Sequence, residues 1–181
     1  MASNTSLTQA LKDGVIVEQD CTVDEAEASL GRVKKFLADL TNPKNSLSIE
    51  TRFNLAYDTA HGFLQVALRM MGYRTANAPG HRAVLFEILP ILVPGAAASK
   101  DSLAHAHGLR NRLEYDSYFE VPTSVVDDMV EQVKSVAEEV IYAFKKFKAA
   151  EQPPPVPAPS SGQKKSGKAP LRGCVLGRAT T

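Results

Sequence analysis

Residues 123–150 read TSVVDDMVEQVKSVAEEVIYAFKKFKAA, and their spacing decides the fold. Val126, Met129 or Val130, Val133, Ala137, Val140, Phe144 and Phe147 recur at steps of three and four, which lines them along one face of a helix. Pro122 precedes the run, and Lys145, Lys146 and Lys148 crowd its last turn, where positive charge complements the helix dipole. The pattern predicts a helix from about 123 to about 149. A stripe that long needs partners.

Upstream, the sequence supplies them. In VDEAEASLGRVKKFLADLTNP, Ala26, Leu30, Val33, Leu37 and Leu40 follow the same rhythm, with acids at the start and Asn42-Pro43 at the stop. In SLSIETRFNLAYDTAHGFLQVALRMMGYR, Phe53, Ala56, Ala60, Phe63, Ala67 and Met70 repeat it, and Gly72 offers a C-terminal stop. HRAVLFEILPILVPG reads as a short helix broken at Pro90 and closed by Pro94-Gly95. SKDSLAHAHGLRNRL then reads as a further helix through Leu103, Ala106, Leu109 or Arg110, and Leu113. Strands have almost nothing to claim, and no repeat is evident. The predicted fold class is all-α: an antiparallel bundle of four to five helices with short connections, over residues 22–149, after an N-terminal segment 1–21.

Beyond the last helix the pattern stops. Five prolines fall within residues 153–159, and Ser, Gly and Lys follow, a composition unable to bury a core; residues 150–181 are expected to be a Pro-rich, basic, disordered tail. That tail has five basic residues against Glu151, net +4, while residues 1–149 have sixteen basic against nineteen acidic, net −3. A mildly acidic body is not the pattern of a dedicated duplex-DNA reader. Cys21 and Cys174 make no disulfide framework, and there is neither a secretory leader pattern nor an 18-residue apolar run, so the expectation is a soluble, cytoplasmic protein with no membrane contact.

The chemistry-bearing residues concentrate in LRNRLEYDSY, 109–118. His105 and His107 are two apart, about 200° around a helix, and cannot share a metal ion. No HExxH, P-loop or dinucleotide fingerprint occurs, so no metal or cofactor is expected. His107, Arg110 and Asn111 are spaced three and four apart on one helical face. An imidazole, a guanidinium and an amide converging there can hold a phosphodiester, the guanidinium bridging two phosphate oxygens. The plainer reading of the same spacing is a half-buried surface histidine beside an Arg110–Glu114 ion pair.

Over roughly residues 22–145 the chain resembles the HEPN domains, helical bundles of prokaryotic toxin and antiphage systems. The resemblance rests on RFNLAYDTAHGFLQVALRMMGYRTANAPGHRAVLFEILP, with its Gly-Tyr-Arg ending and following Gly-His, and on the Arg-Asn pair before the final long helix. It implies a homodimer in which two Arg-(four to six residues)-His motifs, the first intervening residue usually polar, meet and cleave RNA without metal, the His activating the ribose 2′-hydroxyl or protonating the leaving oxygen and the Arg stabilising phosphate charge. Arg110 and Asn111 match that motif. Tyr115 stands where the histidine belongs, and a phenol of pKa near 10 is ionised at only about one part in a thousand at pH 7. The family's nucleotide-accepting tyrosine would fall on Ser117, with Tyr118 one residue further.

The resemblance thus implies an RNA-associated member of a toxin–antitoxin or defence system. It is either a metal-independent endoribonuclease with a degenerate motif, using Arg110, Asn111 and Tyr115 or His107, or a catalytically inactive bundle that binds a protein partner such as a nucleotidyltransferase antitoxin.

Overall fold

The computed structural model describes residues 7–151. Two short elements open it, α1 (Leu7–Lys12) and β1 (Ile16–Glu18). Then come α2 (Val23–Thr41), α3 (Ile49–Met70), β2 (Tyr73–Thr75), α4 (His81–Glu87), α5 (Leu89–Leu92), a 3₁₀ turn at Pro94–Ser99, α6 (Lys100–Tyr115) and α7 (Thr123–Glu151). The all-α bundle read from periodicity is the fold found, and α7 is its longest helix. The tail expected from residue 150 onward lies, past Glu151, outside the described residues.

Each long helix is started by chemistry local to its own sequence. Thr22 and Glu25 form a reciprocal capping box on α2: the Glu25 amide donates to Thr22 Oγ1 at 3.3 Å, and the Thr22 amide donates to Glu25 Oε2 at 3.0 Å. Those bonds hold the Glu25 carboxyl below its usual range. Ser48 caps α3 by accepting from the Thr51 amide at 3.2 Å. At the far end of α3, Gly72 takes a φ of 83°, a left-handed turn that sends the chain into β2.

Ion pairs between helix ends fix the directions. Arg69 at the end of α3 meets Glu25 at the start of α2 at 3.6 Å, and Lys148 at the end of α7 meets Glu27 at 2.7 Å, so α2 runs antiparallel to both. Arg52 and Asp127, each in the first turns of its helix, pair at 2.5 Å, so α3 and α7 run the same way. These two, distant in sequence, form the most extensive interface of the bundle. The chain neighbours α2 and α3 are antiparallel as expected; α3 and α7, which α4 to α6 separate along the chain, are parallel.

The predicted stripes are the core. Phe53, Ala56, Ala60, Phe63 and Ala67 on α3 face Val126, Met129, Val130, Val133, Ala137, Val140 and Phe144 on α7, all buried. Burial of the Val, Met and Phe side chains among them, at roughly 1.5–3 kcal/mol each, is what holds a bundle of this size. The sequence reading made no place for strands, yet β1 and β2 form a two-stranded antiparallel ladder pairing Ile16 with Thr75, Val17 with Arg74 and Glu18 with Tyr73. Three-residue strands are too short to show a period of two. The ladder ties the N-terminal segment to the end of α3, and Ala10 and Ile16 belong to the same core. Among the described residues, no helix is long and apolar enough to cross a membrane.

Candidate functional site

Two ring-bearing residues of α3 bring polar groups into its buried side: Tyr57, fully buried, and His61, only 7% exposed. They are four apart, so one lies over the other, and their rings stack 6.4 Å apart at 8°. Phe86 of α4, also fully buried, packs at a tilt against both, 5.4 Å from Tyr57 and 6.3 Å from His61. α6 brings the fourth ring. His107 stacks on Tyr57 at 5.9 Å, and its Nδ1 lies 2.7 Å from the Tyr57 hydroxyl.

One turn further along α6, the Arg110 guanidinium sits 5.0 Å above the Tyr57 ring centroid, within cation–π range. Its Nη1 pairs with Glu114 Oε1 at 3.2 Å, while its Nε is buried without a partner. Arg82 of α4 adds a second guanidinium, paired with Asp58 at 3.1 Å. His107 opens, with His81 and Arg82, onto a depression of about 390 Å³ formed by residues 77–83. The two carboxylates nearest the site are exposed ones already engaged by these arginines.

Electrostatics follow from burial and from this surplus of positive charge. Burial, followed by the charge of Arg82 and then of His81, His107 and Arg110, pushes the His61 pKa down to about 4, so the ring is neutral at pH 7. Its Nε2 is buried with no hydrogen-bond partner. His107 is shifted down too, first by burial and then by Arg110 and Arg82. Tyr57 is shifted up by burial, against the pull of both arginines, so its hydroxyl keeps its proton. If Tyr57 donates to Nδ1, His107 carries its proton on Nε2 and presents a donor; in the other tautomer Nε2 is a free lone pair.

The residues named from sequence therefore divide. His107 and Arg110 turn inward and meet through Tyr57. Asn111 is exposed and makes no side-chain hydrogen bond among the described residues, and Tyr115 is 87% exposed with its hydroxyl unpartnered. The Arg110–Glu114 pair of the plainer reading is present, and His107 is half-buried as that reading has it, but in contact with a buried phenol. Sequence reasoning missed Tyr57, His61, Phe86 and Arg82. The signal available for the first two was a tyrosine and a histidine four apart inside the stripe of α3. Among the described residues no group of His, Cys, Asp and Glu is arranged to hold a metal ion. No protein-family model, no curated protein and no solved structure matches this chain.

Proposed function

We propose that this chain is an RNA-associated, HEPN-type bundle of a toxin–antitoxin or defence system, acting in the cytoplasm, and that it holds an RNA phosphodiester between His107 and Arg110. The observation that carries the reading is convergence: His107 and Arg110 of α6 meet on one buried tyrosine of α3, and His107 shares an open depression with Arg82 of α4. Phosphate is the ligand that such a group suits, since two guanidinium groups supply charge-assisted donors and the imidazole a third. Glu114 is no obstacle, because it is half-exposed and its pairing with Arg110 is screened by water.

If RNA is cut, the roles follow from position. The neutral His107 takes the proton of the ribose 2′-hydroxyl as that oxygen bonds to phosphorus and the 5′-oxygen leaves, while Arg110 meets the growing negative charge. Asn111 orients the strand from the solvent side of the same helix. Tyr115, exposed at the end of the same helix, stacks on a base.

The test is labelled single-stranded RNA incubated in EDTA with wild type, Arg110→Ala and His107→Gln. Arg110→Ala should weaken RNA retention by about tenfold, the worth of one charge-assisted contact. His107→Gln should keep binding and abolish any cleavage. Equal retention by wild type and Arg110→Ala removes the reading.

A second reading is favoured by one observation, the exposure of Tyr115 at 87% and Tyr118 at 97%. Aromatic rings that far out of the core suit a protein interface. On that reading the chain is a catalytically inactive partner, of a nucleotidyltransferase antitoxin for example. It predicts stable co-purification that Tyr115→Ala and Tyr118→Ala together abolish and Arg110→Ala does not. A homodimer apposing two Arg110–Asn111 pairs belongs to the first reading and is read out by light scattering.

A further inference from the structure

His61 lines a second depression, a groove of about 400 Å³ between α2 and α3. Its walls follow from helix period: Arg32 and Phe36 lie four apart on α2, and Asp58, Gln65 and Arg69 recur on one face of α3, with Arg74 added by β2. At its base the two helices are in close approach. A Cβ on Gly62 would stand 2.8 Å from Val33 Cγ2, so glycine is what lets α3 lie against α2 at this level.

The charge of this groove is not balanced. Among the described residues, neither Arg32 nor Arg74 has a carboxylate within ion-pair distance, and the Arg74 guanidinium is bonded only to the backbone oxygen of Thr75, at 3.2 Å. Arg69 shares Glu25 at 3.6 Å, and Asp58 is taken by Arg82. The depression beside the α3–α7 ends makes the contrast. There Arg52 pairs with Asp127 and Lys134 with Glu131, so it offers no free cation. In a body that is net acidic, arginines left unpaired along one groove are a feature to be explained.

Charge alone describes any phosphate patch, and the remaining lining narrows it. Phe36 is 38% exposed, an aromatic face left at the surface one turn from Arg32. Gln65 supplies an amide that both donates and accepts, as a base edge requires, and Asp58 supplies a carboxylate of the kind that accepts from ribose hydroxyls. The volume falls within the range of small-ligand clefts, about 300–1,000 Å³, and is too small for folded RNA. We propose that the α2–α3 groove is a nucleotide site, with Arg32, Arg69 and Arg74 on the phosphates and the ring of Phe36 against the base. It does not depend on the RNA reading of His107 and Arg110.

The test is calorimetric titration of the full chain, without metal, with ATP, GTP, AMP, inorganic triphosphate and a short single-stranded RNA. Saturable one-to-one binding of at least one nucleotide is expected, lowered at least about tenfold by the double variant Arg32→Ala, Arg74→Ala. Phe36→Ala should weaken nucleotide and leave inorganic triphosphate as it was. Arg110→Ala separates the two sites: it should lower RNA retention and leave nucleotide affinity unchanged. No binding of any of the three nucleotides up to about 1 mM overturns the proposal. So does inorganic triphosphate binding as tightly as ATP and GTP, which leaves a bare anion patch. RNA binding that needs Arg32 and Arg74 while no mononucleotide binds overturns it too, making the groove part of an RNA path.

Discussion

Helix α6 ends with two faces that share sequence and differ in physics. Inward, His107 and Arg110 contact the fully buried Tyr57, alongside His61 and Phe86. Outward, Arg112 pairs loosely with Asp116 at 4.0 Å and rests on the Phe119 ring at 4.1 Å, while Tyr115 and Tyr118 stand in solvent. A charge or a ring outside costs almost nothing and is held by almost nothing. Inside, each polar group must be neutral, bonded or paired, and the observed shifts and contacts are those solutions. Position relative to the core, more than residue type, therefore separates the two faces of the stretch from His107 to Tyr118.

The largest expected effect is on the inner face. Phe86 is fully buried among three other rings, so Phe86→Ala should cost about 3–5 kcal/mol in urea unfolding, the range for deleting a large aromatic from a core. The same truncation applied to Tyr118 should leave the midpoint where it was. A loss under about 1 kcal/mol for Phe86→Ala would mean that the inner cluster is not close-packed, and the contrast between the faces would go with it.

Acid comes next. In the unfolded chain His61 protonates near the ordinary imidazole value of 6.5, whereas folded it stays neutral down to about 4. Between those values the unfolded state binds more protons, so stability is full above pH 6.5 and lost as pH falls toward 4. The loss is on the order of 3 kcal/mol, and the downward shift of His107 adds in the same direction. Urea midpoints at pH 7 and at about pH 4.5 measure it, and His61→Phe should flatten the difference. A wild-type slope that survives in His61→Phe would assign the acid sensitivity to other groups.

How far these contrasts were legible in the sequence depends on what each residue must meet. The stripes on α2, α3 and α7 were legible because helix period is a property of one segment, and Val126, Val133, Ala137 and Val140 need no knowledge of their neighbours to be placed inside. His107 and Arg110 were found for the same reason, being three apart on one helix. Their partner was not, since Tyr57 lies fifty residues away and only packing brings its hydroxyl to His107. Period also grouped Asn111 with His107, being four residues on, but the buried edge of α6 ends between Arg110 and Asn111. The β1–β2 ladder was invisible because three residues carry no period.

A smaller effect isolates the link itself. Tyr57→Phe keeps the ring that stacks on His61 and His107 and deletes only the hydroxyl bonded to Nδ1. The expected loss is about 0.5–1.5 kcal/mol, the net worth of one neutral hydrogen bond. The His107 ring signals should change at the same time, because Nδ1 loses the contact that orients the imidazole. An unchanged histidine spectrum in Tyr57→Phe would dissolve the connection between α3 and α6 on which the inner site depends.

The smallest effect belongs to Tyr115. At 87% exposure, with no hydrogen bond to its hydroxyl, it contributes little buried area, so Tyr115→Ala should shift stability by no more than about 0.5 kcal/mol. A near-zero value makes the variant informative, because any change in function cannot then be blamed on folding. Base stacking on an exposed ring is worth about 1–3 kcal/mol, so Tyr115→Ala should weaken single-stranded RNA roughly five- to a hundredfold, and Tyr115→Phe, which keeps the aromatic face, should not. Loss in both would place the weight on the hydroxyl. No loss in either would leave the outer face without a part in RNA binding, and the inner pair, His107 and Arg110, would have to carry all of it.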